Sequence, residues 1–309
     1  MIEIRDLNKS FGKTVALKNF SVTIPRGQVY GLIGPNGAGK TTAMSILATL
    51  LPADSGLAMV NGIEVTAKPQ EVRKLIGYMP DFFGVYDGLT AGEYLSFFAS
   101  AYQIPQNKHD KLAEELLELV NLGDKVDSYV DNLSRGMKQR LALARCLVHD
   151  PQVLILDEPA SGLDPRARAE VKEIVRHLKA MGKTVLISSH ILPELAEICD
   201  RVGIMENGQL IADGPVTDIT AGDKSTRMIN VEVADRLPEL IDYLGQYPGV
   251  LRVEDVNNCA RVVFNDGRHA QGVLLKELVA QGYHVLQFAE HRANLEDAFM
   301  AVTGEVQKQ

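Results

Sequence analysis

Short apolar runs alternate with amphipathic stretches over roughly the first 215 residues, and the rhythm then changes. Val29 to Ile33 and Val153 to Leu156 are continuous apolar runs that end in Gly or acidic residues, and Val185 to Ile187, before Ser188-Ser189-His190, reads the same way. Runs this short and this apolar predict parallel strands buried on both faces. Elsewhere apolar residues recur three and four apart, as in Met137, Leu141, Ala144 and Val148, which predicts helices packed along one side. Asn61-Gly62 and Asn207-Gly208 each sit between two apolar runs, and each predicts a tight hairpin. The combination predicts an α/β core on a mostly parallel sheet with antiparallel additions.

The stretch from Pro215 to Thr226, PVTDITAGDKST, is polar and holds Pro and Gly, so it is the expected joint between a larger domain, 1–218, and a smaller one, 227–309. After it come a strand (Met228 to Val233), a helix (Leu237, Leu240, Ile241, Leu244) and two strands (Val250 to Val256, Ala260 to Phe264). A helix (Val273, Leu274, Leu278), a strand (His284 to Phe288) and a last helix (Leu295 to Val302) follow. That βαββαβ order predicts a small α+β, ferredoxin-like domain. A length of 309 residues agrees with two domains at about 150 residues each.

With 32 basic and 40 acidic side chains the formal charge is −8, which argues against a nucleic-acid partner. No segment approaches the roughly 20 consecutive apolar residues of a membrane span. The start, Met1 to Asp6, carries acidic residues and does not read as a signal peptide. Cys146, Cys199 and Cys259 are odd in number and far apart, so neither a disulfide framework nor a zinc cluster is expected, and a reducing cytoplasm is the expected compartment.

The sequence Gly34-Pro35-Asn36-Gly37-Ala38-Gly39-Lys40-Thr41 matches G-x-x-x-x-G-K-[ST] between a predicted strand and the helix-like stretch that Thr41 and Thr42 open. Glycines let backbone N–H groups turn toward phosphate oxygens, and the start of a helix adds the positive end of its dipole. Lys40 is then expected to neutralise β- and γ-phosphate charge, and Thr41 to hold Mg²⁺. Val153 to Leu156 delivers Asp157 and Glu158 to the end of a buried strand, where α/β sheets bind ligands. Asp157 suits Mg²⁺, and Glu158 is placed to orient or deprotonate a water attacking the γ-phosphate. Asp81 to Gly84 and Asn107 to Asp110 also fit the DxxG and NKxD patterns of GTPases. The second of these leads into a helix-like stretch instead of ending a buried strand, so the guanine-reading assignment is set aside.

Leu133-Ser134-Arg135-Gly136-Met137-Lys138-Gln139-Arg140 opens a further predicted helix, with Ser134 as its N-cap. This segment resembles the LSGGQ signature of ABC ATPases, and residues 2 to about 215 then fit that family's motif order. The resemblance implies a P-loop NTPase core with antiparallel β and helical subdomains, binding ATP with Mg²⁺. It further implies that Phe11 stacks on adenine, that Asp164 lies at a dimer interface and that His190 contacts the γ-phosphate. A head-to-tail dimer would complete each ATP site with Ser134 and Gly136 of the other copy. The family usually has Gln where this chain has Asp81, which is shorter and anionic but still able to bind Mg²⁺. Arg135 and Met137 replace Gly and Gln of the signature, so no contact of those side chains carries over.

Seven of the 18 aromatic residues fall between Phe82 and Tyr102, where the family begins the helical subdomain that grips a membrane permease; most are expected in that subdomain's core. Arg168, Lys172, Arg176, Lys179 and Lys183 recur at helical spacing and are expected on a solvated face. The expectation is an ATPase subunit of an exporter, peripheral on the cytoplasmic face of the membrane and docked on separate permease subunits. The alternative is a soluble ABC-type ATPase not coupled to transport.

Overall fold

Val29–Ile33 is buried at every position, as the uninterrupted apolar run requires, because the sheet it joins is covered on both faces. The computed structural model describes residues 1–82, 84, 88–221, 227–256, 258–264, 268–291, 295–297 and 299. In the first part of the chain the strands are β1 (Ile2–Phe11), β2 (Thr14–Ile24), β3 (Val29–Ile33), β4 (Ser55–Val60), β5 (Ile63–Glu64), β6 (Ile76–Met79), β7 (Val153–Leu156), β8 (Thr184–Ser189), β9 (Arg201–Glu206) and β10 (Gln209–Pro215). The helices are α1 (Lys40–Leu47), α2 (Pro69–Arg73), α3 (Ala91–Ala101), α4 (His109–Leu119), α5 (Arg135–Leu147), α6 (Pro165–Ala180), α7 (Leu192–Ile198) and α8 (Val216–Ala221).

One sheet runs in the order β10-β9-β3-β8-β7-β6, parallel throughout except that β10 returns antiparallel on β9. The other, β2-β1-β4-β5, is antiparallel. Ala43, Met44, Ile46 and Leu47 of α1 pack into a core shared by Ile2, Ile4, Phe20 and Ile24 of the antiparallel sheet and Tyr30, Leu32, Ile155 and Leu186 of the parallel one. Both expected hairpins form. Asn61 and Gly62, and again Asn207 and Gly208, have positive φ, and the flanking residues pair as Val60 with Ile63 and Glu206 with Gln209. Paired positive φ values match the right-handed twist of the strands they join.

Thr90 and Glu93 form a reciprocal capping box at the start of α3, and Ser134 caps α5 as expected. Asn107 to Asp110 lies in a 3₁₀ turn and the first residues of α4, with His109 buried, so this stretch does not end a strand. The aromatic cluster is less of a core than its composition suggested. Tyr94 is fully buried and Phe98 half-buried, whereas Phe97, Tyr102 and above all Phe82, at 91% exposure, face outward; Phe83 and Tyr86 lie outside the described residues.

The chain divides into two units, Met1–Val216 and Thr217–Ala301. In the second, β11 (Arg227–Val233), α9 (Leu237–Gly245), β12 (Val250–Val256), β13 (Cys259–Phe264), α10 (Arg268–Ala280) and β14 (Val285–His291) build one antiparallel sheet ordered β12-β13-β11-β14. That order, with a helix after the first and third strands, is the split βαβ arrangement of ferredoxin-like domains. Leu240, Leu244, Leu274 and Leu278 of its helices cover Ile229, Val231, Val262 and Phe264 of the sheet. Of the expected last helix, 295–297 and 299 are described and helical.

Candidate functional site

The phosphate loop joins the end of β3 to Lys40, the first residue of α1. A Cβ at Gly34 would strike the carbonyl oxygen of Met205, and one at Gly39, where φ is 104°, would strike that of Ala16. Only glycine allows the loop to lie this close to β9 and β2. No described side chain caps α1, and its first turn holds no acidic residue, so its N-terminal N–H groups are left for an anion. Lys40 is 6% exposed, and its Nζ donates to the carbonyls of Gly34 at 2.6 Å and Pro35 at 3.3 Å, closing the loop on itself. Pro35, Asn36, Gly37 and Thr41 are exposed, Gly39 and Thr42 half-buried and Ala38 buried. Phe11 ends β1 with its ring half-exposed and Lys9 Nζ 5.6 Å from the ring centre.

Strands β3, β8 and β7 are neighbours, so the phosphate loop, His190 and the acidic pair leave the same end of the sheet. Asp157 is 1% exposed. Its Oδ1 accepts from Ser188 Oγ at 2.6 Å, while Oδ2 is buried with no hydrogen-bond partner among the described residues. A buried carboxylate oxygen without a donor is costly unless a cation or water meets it, so the arrangement fits a Mg²⁺ ligand. Glu158 has φ 50°, an uncommon backbone state for a residue with a long side chain, and its N–H donates to the same Ser188 Oγ at 2.9 Å. Its Oε2 lies 2.8 Å from His190 Nδ1. An ionised carboxylate only accepts, so Nδ1 carries the proton of this bond. Ser188 thus holds both acidic residues. Sequence reasoning missed it, and the only signal was its place at the end of an apolar run, two residues before His190. Asp81 is exposed two residues beyond β6, the strand next to β7.

Ser134 accepts from Met137 N at 3.3 Å as N-cap of α5, and Asp164 caps α6 by accepting from Arg166 N at 2.9 Å and Ala167 N at 3.0 Å. The Ala167 and Arg166 amides hold the Asp164 carboxyl below the usual aspartate range. The two caps belong to one assembly. Arg135 donates to the Ser161 carbonyl at 3.2 Å with its guanidinium against Gly162, and Gly136 sits so close to Ala167 that a Cβ would lie 2.9 Å from that methyl. No hydrogen bond among the described residues links Ser134 or Asp164 to the phosphate loop of the same chain.

Residues 17–161 match the family model described as ABC transporter. The chain is 32% identical over 306 residues to the linearmycin resistance ATP-binding protein LnrL of Bacillus subtilis, covering 98% of each chain. It is 35% identical over 312 residues to the Nod factor export ATP-binding protein I of Burkholderia lata, covering 98% of this chain and 97% of that one. It is likewise 35% identical over 304 residues to the daunorubicin resistance ATP-binding protein DrrA2 of Streptomyces coeruleorubidus, covering 96% and 93%. Among solved structures, an ATP-binding subunit of an ABC transporter, 31% identical, superposes with a TM-score of 0.64 over 71% of this chain and 91% of that one. A dimeric bacterial ABC transporter cassette, 25% identical, gives 0.64 over 70% and 98%.

Proposed function

The chain belongs to the ABC transporter family as an ATP-binding, ATP-hydrolysing subunit, and from that premise we propose that it powers export through a separate membrane permease by ATP-dependent closure of a head-to-tail homodimer. The hydrogen bond between Glu158 and His190, beside the Asp157 oxygen that has no partner among the described residues, carries the reading. Lys40 and the backbone N–H groups of the loop from Gly34 to Thr42, Pro35 having none, take the β- and γ-phosphates, and Phe11 stacks on the base. Asp157, Thr41 and Asp81 would hold Mg²⁺, which when bound neutralises phosphate charge and orients the oxygens to be separated.

Glu158 accepts a proton from the attacking water as its oxygen bonds the γ-phosphorus and the bond to the bridging β,γ oxygen breaks, releasing ADP. His190 donates from Nδ1 and holds the Glu158 carboxylate in line. With a second proton on Nε2 it also donates to the γ-phosphate. Ser134 and the Gly136 N–H, at the N-terminus of α5, complete the partner's site, with Asp164 alongside. Closure then depends on the γ-phosphate, and its loss opens the dimer.

The direction of transport rests on the relatives, which are named for export and resistance. Residues 1–218 act in this reading as the ATPase domain and 227–309 as an accessory domain that supports or regulates the dimer, with the subunit seated on the cytoplasmic face of the membrane. The test is Glu158→Gln, tagged and recovered in MgATP from detergent-solubilised membranes. Turnover is expected to fall by about 10²–10⁴ while ATP still binds, with a dimer retained on a multi-span membrane protein at near-equal stoichiometry. Normal turnover would remove Glu158 from its role, and a dimer with soluble partners alone would favour an ATPase not coupled to transport.

A further inference from the structure

Arg168, Lys172, Arg176 and Lys179 of α6 lie on a face that is only partly solvated, because each meets an acidic partner. Arg168 NH1 donates to Glu194 at 3.1 Å, Lys172 Nζ to Glu197 at 2.7 Å, Arg176 NH2 to the same Glu197 oxygen at 3.4 Å and Lys179 Nζ to Asp200 at 2.6 Å. All these acceptors belong to α7 or follow it directly, so the cations form a ladder that fastens α7 along α6. Lys183, beyond α6, pairs separately with Asp150.

Helix α7 is short, and the ladder adds to the few contacts that hold it. It has seven residues, no side-chain N-cap among the described residues and only Leu195 and Ile198 buried, so it is too short to be stable by itself. Leu195 and Ile198 pack beneath it beside Pro159, Ala160, Val171 and Ile187, and Lys172 and Glu194 of the ladder border the same small gap. Its far end is anchored where Asp200 exchanges hydrogen bonds with the backbone of Val29. Its near end follows His190 by one residue, across a turn in which Ile191 N donates to Ser189 Oγ at 3.0 Å.

Resting on the proposed roles of Glu158 and His190, we propose that Arg168, Lys172 and Arg176 are positioning residues for hydrolysis, which through Glu194 and Glu197 set the seat of α7 and thereby the approach of His190 to Glu158. Exposed ion pairs contribute little singly, but Lys172 and Arg176 share the acceptor Glu197, and Lys172 and Glu194 have side chains only 19% and 14% exposed. A displacement of about 1 Å at His190 would carry its 2.8 Å contact with Glu158 beyond hydrogen-bond range, and misplacements of that size are costly in rate.

The experiment is MgATP hydrolysis by the full-length chain at low salt, with ATP affinity and thermal midpoint measured on each variant. Arg168→Glu sets two carboxylates against each other at the first rung, and its kcat is expected to fall about 10-fold with KM within twofold of the parent. Adding Glu194→Arg restores the pair in reverse and is expected to recover most of kcat. Lys172→Met should lower kcat in the same sense and blunt the loss of rate between about 50 mM and 500 mM salt, since an ionic ladder is screened. Unchanged kcat in both single variants, or a loss in Arg168→Glu that the swap does not repair, would overturn the proposal. Glu158→Gln is assayed alongside. Full turnover there would remove the roles given to Glu158 and His190 and this inference with them, whereas an inactive Glu158→Gln beside fully active ladder variants would remove the ladder's role alone.

Discussion

Ser188 does two jobs with one oxygen, donating to Asp157 Oδ1 and accepting from the Glu158 N–H. Ser188→Ala leaves Asp157 with neither oxygen held and frees a backbone that is kept at positive φ against its preference. The expected cost is about 1–3 kcal/mol of stability with a drop in turnover, measured by urea unfolding and steady-state hydrolysis. Ser188→Thr keeps the hydroxyl and should recover most of the turnover; an alanine variant equal to the parent in both measurements would show the bridge to be dispensable. The phosphate loop and the acidic pair could be read from the chain because each is contiguous and sits at a predicted strand end. Ser188 could not. Its importance comes from strand pairing of β8 with β7, which brings it to residues some thirty positions away.

Helices α5 and α6 meet through Arg135 over Gly162 and Gly136 against Ala167, and Arg140 adds an ion pair to Glu170 at 3.2 Å. Gly162 has φ 67°, so a side chain there is strained by the backbone itself, quite apart from the guanidinium lying in the way. Gly162→Ala is expected to destabilise by about 1–2 kcal/mol in thermal or chemical melts, and to do so equally in an Arg135→Ala background. If the cost vanished in that background, the clash and not the backbone would be its source. The same helices mark the limit of periodicity as a guide. The spacing of Arg168, Lys172, Arg176 and Lys179 located one face of α6 correctly, but not what that face meets, because Glu194, Glu197 and Asp200 belong to a later segment. The hairpins at Asn61-Gly62 and Asn207-Gly208, by contrast, are local in both cause and effect, and both form where expected.

Two units with separate cores predict two unfolding events. Calorimetry of the full chain should resolve them, and MgATP should raise only the transition of the unit that holds the phosphate loop, by about 2.7 kcal/mol at a hundredfold excess over Kd. A single transition, shifted as one, would show that the units unfold together. The ferredoxin-like strand order of the second unit followed from its βαββαβ rhythm, whereas its role is not written in any catalytic residue.

The position of β3 also governs the order of events during synthesis. Val29 pairs with Val185 and Tyr30 with Arg201, so the strand that presents the phosphate loop has no neighbour in its sheet until more than 150 further residues have been made. Contacts so distant in the chain form late and slowly. A nascent chain therefore carries its complete phosphate-loop sequence for most of translation without a seat for it, and ATP can stabilise this subunit only after β8 and β9 have emerged and closed around β3.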